Sequence, residues 1–485
     1  MVEQKTNLLV IMSDEHQSRA LGCACEWRNE ISIQTPNIDA LAARGTRFTR
    51  AYTPSPICVP ARASFASGQY VHCNRLWDNA MPYRGEPKGW GHALQQIGIG
   101  VESIGKLHYR SDEDPAGFDI EHIPMHVADG VGMVWASMRK EDERVEMPRR
   151  MLGEYIGPGH STYTHYDSAV VERSCDWFRQ RSGKESRPWC LYVGLVAPHF
   201  PLVVPHEFYK LYPHEGLPPA KLHPSQGHGL HPWVERQNAI APSEDQFRDA
   251  DERLAAMASY YGLCSWLDHN VGRILTALEE TGLSENTTVV YTSDHGDNVG
   301  ARGLWGKSNM YEEAVAVPMI MAGPDIDVGE CHTPVSLLDL SATIVDHFGT
   351  RLPENGPGMP LPDIASRSED DQRVVFSEYH AAGAVSGAFM IRKGDWKYIH
   401  YVGFEPELFD LAHDLQELQN LAGEPGCAGK LEELDEALRA ICDPDSVDAM
   451  AHGDQAAMVE AYGGREAALK LGAPAATPPP ELPAS

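Results

Sequence analysis

No apolar stretch in this 485-residue chain reaches the ~18 residues that a membrane-spanning helix needs, so no span is expected. Basic side chains are scarce. There are 40 Lys and Arg against 69 Asp and Glu, a formal net charge of -29, and such a surface repels nucleic acid and anionic membranes. Neither is expected as a partner. If the chain acts on an anion, its site must reverse the surrounding field locally with Arg, Lys, His or a metal. Ten cysteines are spread too thinly for a disulfide framework, and Cys23-Ala-Cys25 lacks the second ligand pair of a zinc finger. They read mostly as buried reduced thiols. The start, Met1 to Thr6, has no basic n-region and no small-residue cleavage site before the apolar Asn7-Leu-Leu-Val-Ile-Met12. The expectation is a cytoplasmic protein, from a bacterium.

What is present is an ordinary globular balance, 42% hydrophobic and 22% charged. At ~100–200 residues per domain the length predicts more than one unit, one large and one smaller. Leu8 to Met12 is a continuous apolar run ending in Ser13-Asp14-Glu15-His16, the pattern of a buried parallel strand with polar residues at its carboxyl end. The same grammar recurs at Cys190 to Val196 before Ala197-Pro198-His199, and at Thr288 to Thr292 before Ser293-Asp294-His295-Gly296. Three strands thus deliver polar residues to one rim, where open α/β sheets bind ligands.

Helical patterns lie between them, at about 38–44, 168–181, 249–281 and 336–348. Alternating strands and helices predict an α/β fold with a large, mostly parallel sheet flanked by helices. From about Arg373 the reading changes to short strands, Val374 to Glu378, Phe389 to Arg392 and Trp396 to His400, then a helix near Lys430 to Cys442. This predicts a smaller C-terminal antiparallel sheet with a closing helix, set off by the Pro/Gly-rich stretch from Leu352 to Pro362. The expected division is an α/β unit over 1–365, a small α+β unit over 366–442 and a tail over 443–485. That tail, ending in the Pro-rich run from Pro474 to Pro483, reads as flexible chain or as an arm packing on a neighbouring subunit of a homo-oligomer.

The segment Pro56-Ile-Cys58-Val-Pro60-Ala-Arg62-Ala-Ser-Phe-Ala-Ser-Gly68 carries the chemistry. It sets a cysteine before a proline-started helix, where free backbone N–H groups and the dipole favour an anion. Arg62, one turn along, brings a permanent cation with planar donors close to position 58. Alone, the pattern is equally that of a small buried core thiol. Its company distinguishes the two.

Cys-x-Pro-x-Arg followed by a small-residue helix ending in Gly resembles the hallmark of the sulfatase family, within the alkaline phosphatase superfamily. The upstream block from Thr35 to Phe48 is similar to a second block of that family, and the order matches along nearly the whole chain. One departure is Ala61, where the family usually has Ser. The resemblance implies an alkaline phosphatase-like fold and conversion of Cys58 to formylglycine by a formylglycine-generating enzyme. It implies one divalent metal, Ca²⁺ first with Mn²⁺ or Mg²⁺ as alternatives, held by Asp14, position 58, Asp294 and His295. Glu15 stands where many members have a second Asp and is left out of that set. Lys106 and His108 in Gly105-Lys-Leu-His108, His199 in Ala197-Pro-His-Phe-Pro201 and Lys307 in Leu304-Trp-Gly-Lys307 match the family's substrate and catalytic positions.

By this resemblance the catalytic residues are Cys58, Arg62, Lys106, His108, His199 and Lys307. Lys106, His199 and Lys307 also bind substrate, and Asn79, just past the nucleophile helix in Trp77-Asp78-Asn79, joins them, Trp77 itself reading as packing. One hydroxyl of the hydrated aldehyde, relieved of its proton by Asp294, attacks sulfur. Lys106, Lys307 and Arg62 neutralise charge, His199 with Lys307 serves the leaving oxygen, and His108 takes the proton that lets sulfate go, an exchange of roles between the two histidines being the alternative. The implied activity is hydrolysis of a small-molecule aryl or small alkyl sulfate. A phosphonate monoester or phosphodiester hydrolase on the same scaffold is the alternative, against which Lys106 and His108 speak; a non-catalytic anion-binding protein with an unmodified Cys58 is the other. Trp135 and the aromatic Tyr398-Ile-His-Tyr401 are candidates for a wall that receives the cation of choline-O-sulfate.

Overall fold

Buried on both faces along its whole length, the apolar run from Leu8 to Met12 becomes the middle of the architecture. The computed structural model describes residues 6–24, 31–140, 156–184, 187–240, 244–471 and 477–482. Residues 1–5, Cys25, and 474–476 and 483 of the Pro-rich run lie outside the described residues. The main sheet has eight strands: β1 (Asn7–Asp14), β2 (Thr46–Phe48), β3 (Gly100–Lys106), β4 (Ile120–Met125), β5 (Trp189–Pro198), β6 (Thr287–Ser293), β7 (Met319–Ala322) and β8 (Gly329–Cys331). Their order is β8-β2-β7-β6-β1-β5-β3-β4. The run β6-β1-β5-β3-β4 is parallel, and β7 is antiparallel to both its neighbours.

Alternation along β1 splits the interior into two cores. Leu9 and Ile11 pack with α1 (Pro36–Ala43), α3 (Thr162–Arg181) and α4 (Ala250–Glu280). Leu8, Val10 and Met12 point the other way, toward α2 (Cys58–Ser67) and α5 (Leu337–His347). Apolar side chains at every position are what a strand with helices on both faces requires. The expected α/β class and the helices read from the sequence are present.

The C-terminal antiparallel sheet is also as expected, with one strand more. It runs β9 (Val374–Tyr379), β10 (Ala388–Lys393), β11 (Trp396–Tyr401) and β12 (Glu407–Asp410), closed by α6 (Ala428–Ile441). The fourth strand, Glu-Leu-Phe-Asp, is too short to show alternation. A larger difference follows Asp443: where composition suggested flexible chain, Pro444–Ala461 form an 18-residue helix, α7. Its buried row is Val447, Ala451, Gln455 and Val459, a spacing of four hidden from a hydrophobic scan by the glutamine. Gln455 donates to Asp78 Oδ2 at 2.7 Å and to the His380 carbonyl at 2.9 Å, and Asp448 receives Arg139 at 2.6 Å. Over 444–461 the chain is therefore seated on its own fold. Among the described residues no helix is long and apolar enough to cross a membrane.

A carboxylate pins the small sheet to the segment that follows α2. Glu378 on β9 accepts the His72 backbone N–H at 2.9 Å and its ring Nδ1 at 2.8 Å, and His380 Nε2 at 3.1 Å. Burial alone would lower the His72 pKa, but the Glu378 charge outweighs it and raises it to about 10. A raised imidazole contributes stability that is complete below its unfolded value near 6.5 and is lost as pH rises through about 10. His72→Gln is therefore expected to be less stable than the parent at pH 6, with the difference closing by pH 10. Urea midpoints across that range check it, and a constant difference would refute the assignment.

Candidate active site

Asp14 ends β1, Lys106 ends β3, His199 follows β5, and Asp294 and His295 follow β6. Because these four strands are neighbours, their carboxyl ends bring the residues to one rim. Strands β5 and β3 approach closely there. A Cβ on Gly194 would lie 2.1 Å from the Lys106 carbonyl oxygen, so glycine is what lets Lys106 sit in place.

Opposite the rim stands α2, all ten residues buried, ending on Gly68 at φ 72°. The helix begins at Cys58 itself, two residues before the proline expected to start it. Pro60 is then third in the first turn, where its missing N–H still has no partner to lose. The Val59 N–H donates to Asn79 Oδ1 at 3.1 Å. Arg62, 1% exposed, reaches back across the strand ends. Its Nε donates to Asp294 Oδ2 at 2.8 Å and Nη2 to Asp14 Oδ2 at 3.0 Å, while Nη1 meets the Lys106 carbonyl at 3.0 Å and the Tyr192 hydroxyl at 2.9 Å. Lys106 Nζ adds a second contact to Asp14 Oδ2 at 2.6 Å. Burial would raise the Asp14 pKa, but the cations around it, Lys106 first and then Arg62 and Lys307, hold it well below the usual carboxylate range.

Cys58 Sγ lies 3.2 Å from His295 Nε2, 3.4 Å from Lys307 Nζ and 3.6 Å from Asp14 Oδ1. Burial, with Asp14 beside it, outweighs Lys307 and Lys106 and pushes the thiol up to about 11. A cysteine here is a neutral thiol at physiological pH. Single ligand atoms of Asp14, Cys58, Asp294 and His295 all lie within 4.8 Å of one another. His295 Nδ1 is 3.0 Å from the Gly296 carbonyl, which only accepts, so the ring's Nε2 is the atom left facing the carboxylates. Two carboxylates and an imidazole nitrogen are a donor set that suits a divalent cation.

A cavity of about 180 Å³ opens above this floor. Asn79, Lys106, His108, His199 and Lys307 all line it, as does Trp135. Lys307 Nζ also contacts Glu15 Oε2 at 3.2 Å, and His199 Nε2 faces the same oxygen at 3.3 Å. Burial raises Glu15 well above the usual carboxyl range despite Lys307. Burial and a neighbouring lysine, Lys307 for His199 and Lys106 for His108, push both imidazoles well below theirs, so both are neutral. Burial opposes the charge on Lys307, and the anions it faces, Asp14 and Asp294, outweigh it.

Trp77 packs in the core of the C-terminal sheet and donates to Asp454 at 2.7 Å, away from the cavity. Tyr398 and Tyr401 are likewise elsewhere, bonded to Asp435 at 2.9 Å and Glu407 at 2.8 Å. An aromatic strand reports burial, not which cavity it faces. Sequence reasoning missed Tyr192, Tyr163 and Thr477, none of which sits in a motif. It also missed the tie from Glu15 to His199 and Lys307, for which the acidic pair Asp14-Glu15 at a strand end was the available signal.

Residues 6–350 match the sulfatase family, and 300–443 match the C-terminal part of N-sulphoglucosamine sulphohydrolase. The choline-sulfatase of Rhizobium meliloti (strain 1021) is 32% identical over 445 residues, covering 88% of this chain and 84% of its own. Arylsulfatase K of Xenopus laevis is 30% identical over 483 residues, covering 92% and 84%. Among solved structures, the phosphonate monoester hydrolase SpPMH from Silicibacter pomeroyi superposes with a TM-score of 0.73 at 22% identity, over 90% of this chain and 95% of its own. A protein solved with its substrate D-glucosamine-2-N,6-O-disulfate gives 0.70 at 22%, over 93% and 99%. At that identity the two structures speak to the fold alone.

Removing a partner from a buried ion pair typically costs about 3–5 kcal/mol. Lysine retains the charge but not the fork that reaches four acceptors. Arg62→Lys is therefore expected to lose about 2–4 kcal/mol in denaturant unfolding and at least tenfold in Ca²⁺ or Mn²⁺ affinity by calorimetry. Unchanged metal affinity would show that the guanidinium does not set the carboxylates' spacing.

Proposed function

Since the chain belongs to the sulfatase family and is a sulfuric ester hydrolase, we propose that its nucleophile is Cys58 after conversion to formylglycine, acting on an aryl or small alkyl sulfate monoester. The observation that carries this is the setting of Cys58 Sγ, within 3.2–3.6 Å of His295, Lys307 and Asp14. A thiol with its pKa pushed up to about 11 makes poor use of the charges around it. Sγ stands in for an oxygen of the converted, hydrated residue, which those charges would serve. At 1% exposure Cys58 is closed off in the folded chain, so a formylglycine-generating enzyme would have to reach it before the site closes.

Asp14, Asp294, His295 and position 58 would hold one divalent cation, Ca²⁺ first because the donors are mainly carboxylate oxygens, with Mn²⁺ and Mg²⁺ as alternatives. Such an ion supplies polarisation of the nucleophile and of the sulfuryl oxygens. The remaining work falls to the chain's own side chains. Lys106 and Lys307 place two cations over the floor where the sulfuryl group sits, and Arg62 fixes Asp294 as the acceptor of the nucleophile's proton. Lys307, charged and 3.4 Å from position 58, meets the leaving oxygen together with His199. His108, neutral and buried, is the base for the second half of the cycle. Asn79 holds the first turn of α2 and borders the substrate.

The cavity's walls include Trp135, Phe200, Trp305, Val234 and Ile240. Among the described residues its one lining carboxyl, Glu15, already faces Lys307 and His199. That wall suits an aryl or small alkyl group, the aromatic faces of Trp135, Phe200 and Trp305 serving a ring or the cation of choline-O-sulfate alike. A bacterial source, a cytoplasmic setting and a homo-oligomeric state belong to the same reading, the first in keeping with the bacterial choline-sulfatase.

Two measurements test it. A tryptic peptide across Cys58 from the native host is expected to carry an aldehyde in place of the thiol, and Cys58→Ala to lower kcat by on the order of 10³-fold or more. Thiol alone in a fully active preparation would refute the nucleophile, and thiol alone in an inactive one would favour an anion-binding site. Hydrolysis of 4-nitrophenyl sulfate should outrun that of a phosphonate ester of 4-nitrophenol; a phosphonate preference would reverse the choice of reaction.

A further inference from the structure

The C-terminal segment returns to the active site. After α7 and a short helix at Arg465–Ala468, Thr477 lies against residues more than 300 positions earlier. Its Oγ1 is 2.8 Å from His108 Nε2, and its carbonyl accepts the Tyr163 hydroxyl at 2.7 Å. Tyr163 in turn sets its ring edge-on to His199, with centroids 5.8 Å apart. Thr477 is 9% exposed and lines the same cavity as Cys58, Lys106 and His108.

His108 has no other hydrogen bond to hold its ring among the described residues. Its Nδ1 is buried without a partner, and its backbone is in the left-handed region at φ 60°. A neutral imidazole carries one proton, and the partner of one nitrogen decides which nitrogen has it. We propose that Thr477 is a positioning residue for His108: its hydroxyl accepts Nε2–H, fixing the ring and leaving Nδ1 bare, the form a proton acceptor requires. The Tyr163 bond to the Thr477 carbonyl holds the strap that presents that hydroxyl. This rests on the reading of His108 as a base, and it makes the tail part of the catalytic machinery through one hydroxyl.

The test uses the converted, metal-loaded enzyme and four variants. Thr477→Val keeps the shape and removes the hydroxyl, Thr477→Ser keeps the hydroxyl, and His108→Ala is made alone and with Thr477→Val. Partners that orient a working histidine typically contribute about 10–100-fold. Thr477→Val is expected to lower kcat about tenfold with KM changed less than twofold, Thr477→Ser to restore it, and Thr477→Val to add nothing in the His108→Ala background. Independently of turnover, ¹⁵N shifts of the His108 ring should show a bare Nδ1 in the parent and in Thr477→Ser, and a tautomer mixture in Thr477→Val. Parental kcat and ring shifts in Thr477→Val, or losses that multiply in the double variant, would overturn the inference while leaving His108 as the base. Near-parental activity of His108→Ala would overturn both.

Discussion

Everything at the rim depends on one buried guanidinium. Asp14 and Asp294 sit at the ends of adjacent parallel strands, and two carboxylates about 4 Å apart repel by about 4 kcal/mol at an effective dielectric of 20. Arg62 lies between them with an ionic hydrogen bond to each, and a third arm ties the same group to the Lys106 carbonyl and Tyr192. Attraction thus replaces repulsion. The donor set faces position 58 already spaced for a cation, and little reorganisation remains for the moment of reaction.

The same arrangement resolves the conflict between an acidic chain and an anionic substrate. At -29 overall the protein's field opposes a sulfate ester, and the floor must overcome it over a few ångströms. Arg62, Lys106 and Lys307 are set against Asp14, Asp294 and Glu15, of which Glu15 is held toward its neutral form by burial. The two histidines are neutral as well. A divalent ion added to that balance would leave the floor positive, in a buried setting where each charge acts at low dielectric.

Much of this was legible in the chain because strand ends are local features. An apolar run followed by Asp14, by His199 or by Asp294-His295 announces both the strand and the rim, and the Cys58 to Gly68 helix carries its own stop signal. Other contacts are separated by distance in sequence. Tyr192 meets Arg62 across 130 residues and Thr477 meets His108 across 369, and no spacing rule operates at that range. The α7 helix was obscured for a different reason, since its buried row includes a glutamine whose partner, Asp78, lies 377 residues away. Polar packing of this kind has no signature in periodicity. Tyr398 and Tyr401 failed in the opposite direction, their richness in aromatic surface being satisfied by cores of their own.

The division between floor and walls has a consequence for how such a site changes. The floor is made by strand ends and one helix, whose geometry the parallel sheet dictates and whose charges are mutually dependent. Altering one upsets several. The walls come from separate segments, near Trp135, Phe200, Val234 to Ile240 and Trp305, all of them outside the parallel strands that carry the floor. Residues there can be exchanged without moving Arg62 or its carboxylates. Reaction type and alcohol preference are therefore physically separable in this fold: the first is set by a buried ionic network that tolerates little, the second by a lining that the sheet does not constrain.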